Sequence, residues 1–263
     1  MFSKNKARLI ISLRKKKTRE EEGLFIIEGD KLVKEFLSAG VPVKILIAKK
    51  EFISGLPSLL KECIEETDEV TYDELKQVST LTTPHNAMAV VNIPEQNMIP
   101  EELPEKLCVA LDFVQDPGNL GTIIRAAAWF GISNIICSND CVDVYNPKVV
   151  QATMGAILHV NVYYSDLKPF VRLASKKNIP VFGTLLSGES IYRQKLGSRG
   201  IILLGNESRG ISDELMPFIT HKIMIPGVTK AKPGIESLNV GMAASVVFSE
   251  FLRQNTNLQD SVL

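Results

Sequence analysis

The sequence has no apolar run near the roughly 18 residues that a membrane-spanning helix needs, which argues against a helical membrane protein and for no membrane partner. Cysteine is scarce. Cys63, Cys108, Cys137 and Cys141 are too few and too scattered to staple a chain of 263 residues, so the expectation is a reducing compartment with buried, unreactive thiols. Zinc wants four ligands, and His85, His159 and His221 show no paired spacing with Cys137 and Cys141; no metal site is expected. The N-terminal apolar stretch LIISL is too short for a signal-peptide core and lacks a small-residue cleavage site, which points to a cytoplasmic protein. Glycine fingerprints are also missing. There is no G-x-G-x-x-G after a strand and no G-x-x-x-x-G-K-[ST]; DPGNLG offers only Gly118 and Gly121. An ordinary Rossmann dehydrogenase, an ordinary Rossmann methyltransferase and a P-loop enzyme are therefore disfavoured.

Net charge is absent too, since thirty Lys and Arg balance thirty Asp and Glu. The balance is uneven along the chain. Residues 1–19 carry Lys4, Lys6, Arg8, Arg14, Lys15, Lys16, Lys17 and Arg19 with no acid, leaving 22 basic against 30 acidic residues. A basic arm before an acidic remainder suits nucleic-acid phosphates, or is a solvated, frayed terminus.

What is present is a globular composition, 45% hydrophobic and 23% charged, long enough for two modest domains or one large one. From Leu24, strand-like and helix-like patterns alternate: LFIIEG, then DKLVKEFLSAG with Leu32, Val33, Phe36 and Leu37 on one stripe, Asp30 as its cap and Gly40 as its end. VKILIA, EVTY and AMAVVNI read as further strands and SLLKECIEE as a helix. A polar stretch with Pro94, Pro100 and Pro104 reads as a linker. The boundaries are residues 1–95, a linker over 96–105, and a second domain over 106–263. The second domain has longer apolar strands (CVALDFV, NIICS, VNVYY, IPVFGTLL, GIILLGN, HKIMIPG) between helices, as in a parallel sheet covered on both faces. The helices are NLGTIIRAAAWFGI, NPKVVQATMGAIL with Pro147 at its first position, and SLNVGMAASVVFSEFLRQ.

Three strand ends of this half concentrate polar residues and glycine. The first is Asp116 to Gly121 followed by Arg125, where Asn119 is placed to cap a helix and Arg125 to grip a phosphate or carboxylate. The second is Leu204 to Gly210, directly after a buried strand, and ligands gather beyond such carboxyl ends. The third runs from Ile225-Pro226-Gly227 through a lysine-containing loop to Glu236-Ser237-Leu238-Asn239-Val240. Taken singly, each has a plain reading: a solvent-facing arginine, a glycine turn, an N-cap. Their order, each at a strand end, makes three unrelated caps a poor explanation.

The motifs N-x-G-x-x-x-R (Asn119 to Arg125), L-G-N-E-x-x-G (Leu204 to Gly210), I-P (Ile225-Pro226) and S-L-N-V (Ser237 to Val240) resemble the SpoU/TrmH family of the SPOUT class, RNA ribose 2′-O-methyltransferases that use S-adenosylmethionine. The resemblance covers about residues 106–255. A weaker one, through Arg19, Phe25, Glu28 and Gly29, links the first domain to the family's substrate-binding module. It implies an α/β protein: a parallel-sheet SPOUT domain with a trefoil knot, preceded by a small ribosomal-protein-like RNA-binding domain. It implies a homodimer, packed through the small residues Gly241, Ala243, Ala244 and Ser245 of the last helix.

The resemblance further implies cofactor loops at Thr184 to Gly188, with Thr184 and Leu185, at Leu204, Gly205, Asn206 and Gly210, and at Ile225, Pro226, Ser237, Leu238 and Asn239. Arg125 would orient a phosphate and stabilise the developing alkoxide, since a guanidinium is a poor base. Ser237 and Asn239 would position the ribose, Asn119 would hold Arg125 and the substrate, and Glu207 would organise its loop or touch RNA. Arg14, Lys15, Lys16, Lys17 and Arg19, with Arg125, are the expected RNA contacts. Two departures stand out: the segment from Gly227 to Glu236 is longer than the compact loop common in the family, with Lys230 and Lys232 as possible RNA contacts, and Gly241 replaces a frequent serine. Ribosomal RNA is the expected substrate. Transfer RNA, a non-catalytic RNA-binding protein of the same fold, and another nucleotide-using α/β enzyme are the alternatives.

Overall fold

The computed structural model describes residues 2–95, 99–100, 103–227 and 237–255. In chain order its elements begin with α1 (Lys4–Ser12), α2 (Lys16–Glu22), β1 (Leu24–Glu28), α3 (Asp30–Ser38) and β2 (Val43–Ala48). Next come α4 (Lys50–Ser54), α5 (Ser58–Lys61), β3 (Ile64–Glu69), α6 (Tyr72–Val78) and β4 (Ala87–Asn92). There follow β5 (Leu107–Leu111), α7 (Pro117–Trp129), β6 (Asn134–Cys137), α8 (Pro147–Thr153), β7 (Asn161–Tyr164) and α9 (Leu167–Lys176). The chain continues with β8 (Val181–Ser190), β9 (Gly200–Leu204), β10 (His221–Met224) and α10 (Val240–Asn255).

The first compact unit holds residues up to 95 together with 143–158. Its sheet has the order β1-β4-β2-β3, antiparallel except for the β2–β3 pair. Alternate faces of β1, β2 and β4 feed two cores, one under α3 and one under α1 and α6. The domain division expected from sequence is continuous, whereas this unit is not. Tyr145 stacks on Phe25 at 4.7 Å between ring centroids, Val150 enters the core under α3, and the Asp143 carboxylate accepts from Arg19 Nε at 2.9 Å. Those contacts bind 143–158 to the first sheet.

Local expectations fail here in three places. EVTY is not a strand and SLLKECIEE is helical only over Ser58–Lys61; the strand is β3, an edge strand paired with β2 whose mostly exposed charged residues hide its period. Asp30 does not cap α3 through its side chain; its carboxylate instead accepts from Asn86 N and Nδ2 at 2.7 and 2.6 Å. The basic terminus is not frayed. It folds as α1 and α2, with Ile10 and Leu13 fully buried.

The second unit comprises the remaining residues and contains a parallel six-stranded sheet, β10-β8-β9-β5-β6-β7. The strands are apolar because helices cover them: β9 is buried throughout, and Val109, Ala110 and Leu111 of β5 are inaccessible. From β5 the chain first builds outward through β6 to β7, then returns to fill the other side with β8, β9 and β10. The sheet therefore reverses between β5 and β9, and in such sheets the crevice outside the carboxyl ends at the reversal is where ligands bind. Pro147 opens α8 behind the Asn146 cap, as its sequence indicates. No described helix is long and apolar enough to cross a membrane.

Candidate active site

The carboxyl ends of β5 and β9 lie side by side, in register from Leu107↔Gly200 to Leu111↔Leu204, and Asp112 N donates to Leu204 O at 2.9 Å. Two motif loops therefore leave the sheet at one point. Buried Asp112 ties them again, its Oδ2 accepting from Ser212 N at 2.7 Å. The loop after β9 turns back sharply: Asn206 and Gly210 exchange two backbone hydrogen bonds of 3.0 and 2.9 Å. A Cβ on Gly205 would stand 2.3 Å from the Gly210 carbonyl carbon, and Gly210 has φ +71°. Both glycines are requirements of this turn.

The loop after β5 delivers α7. Its N-cap is Asp116, whose Oδ1 accepts from Asn119 N at 2.8 Å, with Pro117 in the first turn. Asn119 is thus inside the helix, not its cap, and its side chain is released for other bonds. Asn119 Nδ2 donates to Glu207, and Asn119 Oδ1 accepts from Asn239 Nδ2 at 2.8 Å. Asn239 Oδ1 in turn accepts from Gly241 N and Met242 N, at 3.0 and 3.3 Å, capping α10. One chain of side-chain hydrogen bonds, Glu207–Asn119–Asn239, joins all three motifs. α7 and α10 pack together, and a Cβ on Gly241 would lie 3.1 Å from Thr122 Cγ2. The glycine that departs from the family's frequent serine thus sits at close helix contact.

Arg125 is exposed on α7 and makes no hydrogen bond or ion pair among the described residues. Asn119 does not hold it, because both ends of that amide are engaged with Glu207 and Asn239. Ser237 is exposed and Leu238 is partly exposed at the entrance to α10, while Ile225 and Pro226 follow β10. Residues 228–236, with Lys230, Lys232 and Glu236, lie outside the described residues.

The loop at Thr184 to Gly188 is an excursion of β8. Gly183 pairs with Lys222 and Glu189 with Ile223, so the five residues between leave the ladder. A Cβ on Gly188 would come 2.6 Å from the Lys222 carbonyl oxygen, which closes the return to glycine. Thr184 Oγ1 is buried and has no hydrogen-bond partner, whereas buried hydroxyls are normally satisfied. Leu185 packs at the edge of the core beneath. The orphaned hydroxyl of Thr184, beside apolar Leu185, leaves one buried polar atom for a ligand to satisfy.

The basic N-terminus behaves otherwise than expected. Arg19 is only 2% exposed and is bonded to Asp143, Leu13 O and Arg14 O, so it is a structural residue and not an RNA contact. Arg14 spends Nη2 on Val78 O and Ser79 O, both at 2.9 Å. Lys15, Lys16 and Lys17 are exposed, the last two 3.7 Å from Glu20 and Glu21. Such exposed pairs hold lysines loosely. Cys108, Cys137 and Cys141 are buried; a hydrogen bond with Cys137 brings the Cys141 thiol down to about 7 and pushes Cys137 up. Among the described residues no group of His, Cys, Asp and Glu is placed to hold a metal.

Sequence reasoning named the segments of Asp116 and Arg209 but missed the capping by Asp116, the pairing of Arg209 with Phe113 and the double role of Asn206. Asp116-Pro117, an N-cap residue before proline, was a readable signal; the others come together only in space.

A parallel sheet reversed at β5 and β9, with its polar loops bonded to one another there, is the framework of an α/β protein with a loop-built ligand site. The SpoU rRNA methylase family matches residues 106–249, and the MRM3-like substrate binding domain matches residues 4–89. The chain belongs to the SpoU rRNA methylase family, whose members are RNA ribose 2′-O-methyltransferases. It is 30% identical to the 23S rRNA (guanosine(2553)-2′-O)-methyltransferase RlmP of Bacillus subtilis, over 89% of this chain and 91% of that protein. A structure assigned to the TrmH family of RNA methyltransferases from Porphyromonas gingivalis superposes with a TM-score of 0.84 at 35% identity, covering 97% of this chain and all of that one. The AdoMet-bound rRNA methyltransferase of Sinorhizobium meliloti superposes at 0.79 and 27% identity, over 96% and 97%.

Proposed function

We propose that this protein transfers the methyl group of S-adenosylmethionine to a ribose 2′-hydroxyl of ribosomal RNA. The hydrogen-bonded chain Glu207–Asn119–Asn239 carries the reading, because it draws three motifs distant in sequence into one site at the sheet's reversal. The bound cofactor supplies an electrophilic methyl group on a sulfonium.

The protein's own residues do the rest. Leu204, Gly205, Asn206, Gly210, Ile225, Pro226 and Leu238 offer backbone and apolar surface to the nucleoside, and Thr184 Oγ1 gains the partner it lacks. Asn239 and Ser237 sit at the start of α10 to orient the ribose. Arg125, without a hydrogen bond or ion pair among the described residues, grips the adjoining phosphate and stabilises the 2′-oxygen as its proton is lost to solvent. Glu207 acts through Asn119, fixing that amide so that it holds Asn239.

Ribosomal RNA is favoured by the match of residues 4–89 to a substrate-binding domain and by the B. subtilis relative that acts on 23S rRNA. Exposed Lys15, Lys16 and Lys17 are its phosphate contacts on the first unit. A cytoplasmic location fits the reduced cysteines. The proposal includes a homodimer, not through the small residues of α10, of which Gly241 and Ala244 are buried within the chain, but through apolar Trp129 on α7 and Met242 on α10, which are 83% and 60% exposed on two helices that pack together. It also includes a trefoil knot, made by the C-terminal segment threading through a preceding loop. The test is incubation with tritiated S-adenosylmethionine and total RNA lacking modifications, separated by size. Label in large ribosomal RNA supports the reading, and label confined to transfer RNA overturns the choice of substrate.

A further inference from the structure

Asn206 is a strut with two working ends. Its Oδ1 accepts from the backbone N–H groups of Ser208 and Arg209, at 2.9 and 3.1 Å, while its Nδ2 donates to the Phe113 carbonyl at 2.9 Å. Phe113 sits at φ +63°, a conformation that bulky side chains rarely adopt, and its N–H donates to Ser138 Oγ at 3.0 Å. Two of the three residues that Asn206 grips, Phe113 and Arg209, meet each other. The guanidinium carbon of Arg209 lies 4.7 Å from the centroid of the Phe113 ring.

Arg209 is exposed, and among the described residues its guanidinium has neither a carboxylate partner nor a hydrogen bond. Stacking occupies the face of a guanidinium and leaves its in-plane N–H fork free, which is the form that recognises a phosphate bidentately. The position is specific as well. Arg209 is two residues from Glu207, which accepts from Asn119, and one from Gly210, which closes the turn. A strained aromatic, a shared amide and an unpaired cation converge on the rim of the methyl-transfer site. No packing requirement calls for an exposed arginine there.

We infer that Arg209 binds a phosphodiester of the RNA strand carrying the target ribose, and that Phe113 is the positioning residue that fixes its guanidinium. This contact is separate from that of Arg125 and rests on the methyltransferase reading of the same loop. The test is filter binding of large-subunit ribosomal RNA transcribed in vitro, across a salt series, beside titration with S-adenosylmethionine and thermal melting. For Arg209→Gln, RNA affinity falls about tenfold and the slope of log K against log salt shrinks by roughly 0.7 to 0.9, one phosphate contact. Cofactor affinity and melting temperature stay at the wild-type values. Arg209→Lys keeps the salt slope but not full affinity, and Phe113→Leu weakens binding with the slope unchanged. Wild-type affinity and slope in Arg209→Gln overturn the inference, as does a loss of cofactor affinity in either Arg209 variant. Wild-type protein that neither binds nor methylates the RNA overturns the functional reading itself; wild-type methylation with an unaltered Arg209→Gln refutes only this contact.

Discussion

Asn239 Nδ2 donates a 2.8 Å hydrogen bond to Asn119 Oδ1, across 120 residues of chain. The same Asn239 amide caps α10 with its oxygen. Helix start and site assembly therefore depend on one side chain, and its two ends can be separated by substitution. Asn239→Asp keeps the cap acceptor and removes the donor, so melting is unchanged while methyl transfer falls by about tenfold or more. Asn239→Ala loses both, with stability lower by about 1 kcal/mol. Melting curves beside single-turnover rates check this; equal activity in Asn239→Asp and wild type would contradict the role given to the Asn119 bond.

Arg125 makes no hydrogen bond or ion pair among the described residues, so its removal is expected to spare the fold. Arg125→Ala should change stability by less than about 0.5 kcal/mol and reduce kcat by roughly 100- to 1,000-fold, the range for losing a group that stabilises developing charge. Arg125→Lys retains the charge without the planar fork and should fall between the two. Urea unfolding with methyl-transfer kinetics is the measurement.

The second unit was legible because its strands are buried on both faces and so read as continuous apolar runs between helices. GIILLGN and NIICS contain β9 and β6, and CVALDFV starts one residue into β5 and runs three residues past its end. The first unit's edge was not. Ile64–Glu69 is acidic and mostly exposed, and only pairing to β2 makes it a strand. At the site, Asn119 and Asn239 stand in recognisable motifs, but which residue caps α7 and where the Asn119 amide points depend on Asp116 and Glu207. Arg19 illustrates the remaining limit: a basic run announces phosphate contacts, and one member is consumed by Asp143, an acid 124 residues away.

That buried pair gives a stability prediction with no RNA in it. Arg19→Ala leaves Asp143 facing Tyr145 without its partner and should cost about 3 to 5 kcal/mol. Replacing Lys15, Lys16 and Lys17 together by Ala should leave stability within about 0.5 kcal/mol and flatten the salt dependence of RNA binding. If Arg19→Ala melts like wild type, the structural assignment is wrong.

Alkali should weaken the fold through Tyr145 and Cys108. Burial, and then the Asp143 charge, push the Tyr145 phenol up to about 12, and burial pushes the Cys108 thiol up to about 12. Both stay protonated in the folded chain while the unfolded chain ionises from its ordinary values near 9 and 10. Their contribution is fully present below pH 9 and is lost as pH rises toward 12. Tyr145→Phe keeps the ring against Phe25 and removes one of the two groups. Between pH 8 and 11 it should lose less stability than wild type by a margin on the order of 1 kcal/mol, read from urea unfolding at each pH.

The central claim is ribose methylation at the site that Asn119, Arg125, Glu207 and Asn239 build. Its most direct test labels unmodified large-subunit ribosomal RNA with tritiated S-adenosylmethionine, hydrolyses the product in alkali, and repeats the reaction with Arg125→Ala. A methyl group on the 2′-oxygen blocks cleavage at that ribose, so the account predicts label in an alkali-resistant dinucleotide, and its loss in the variant. Label released as a mononucleotide, with the methyl on a base, would contradict it.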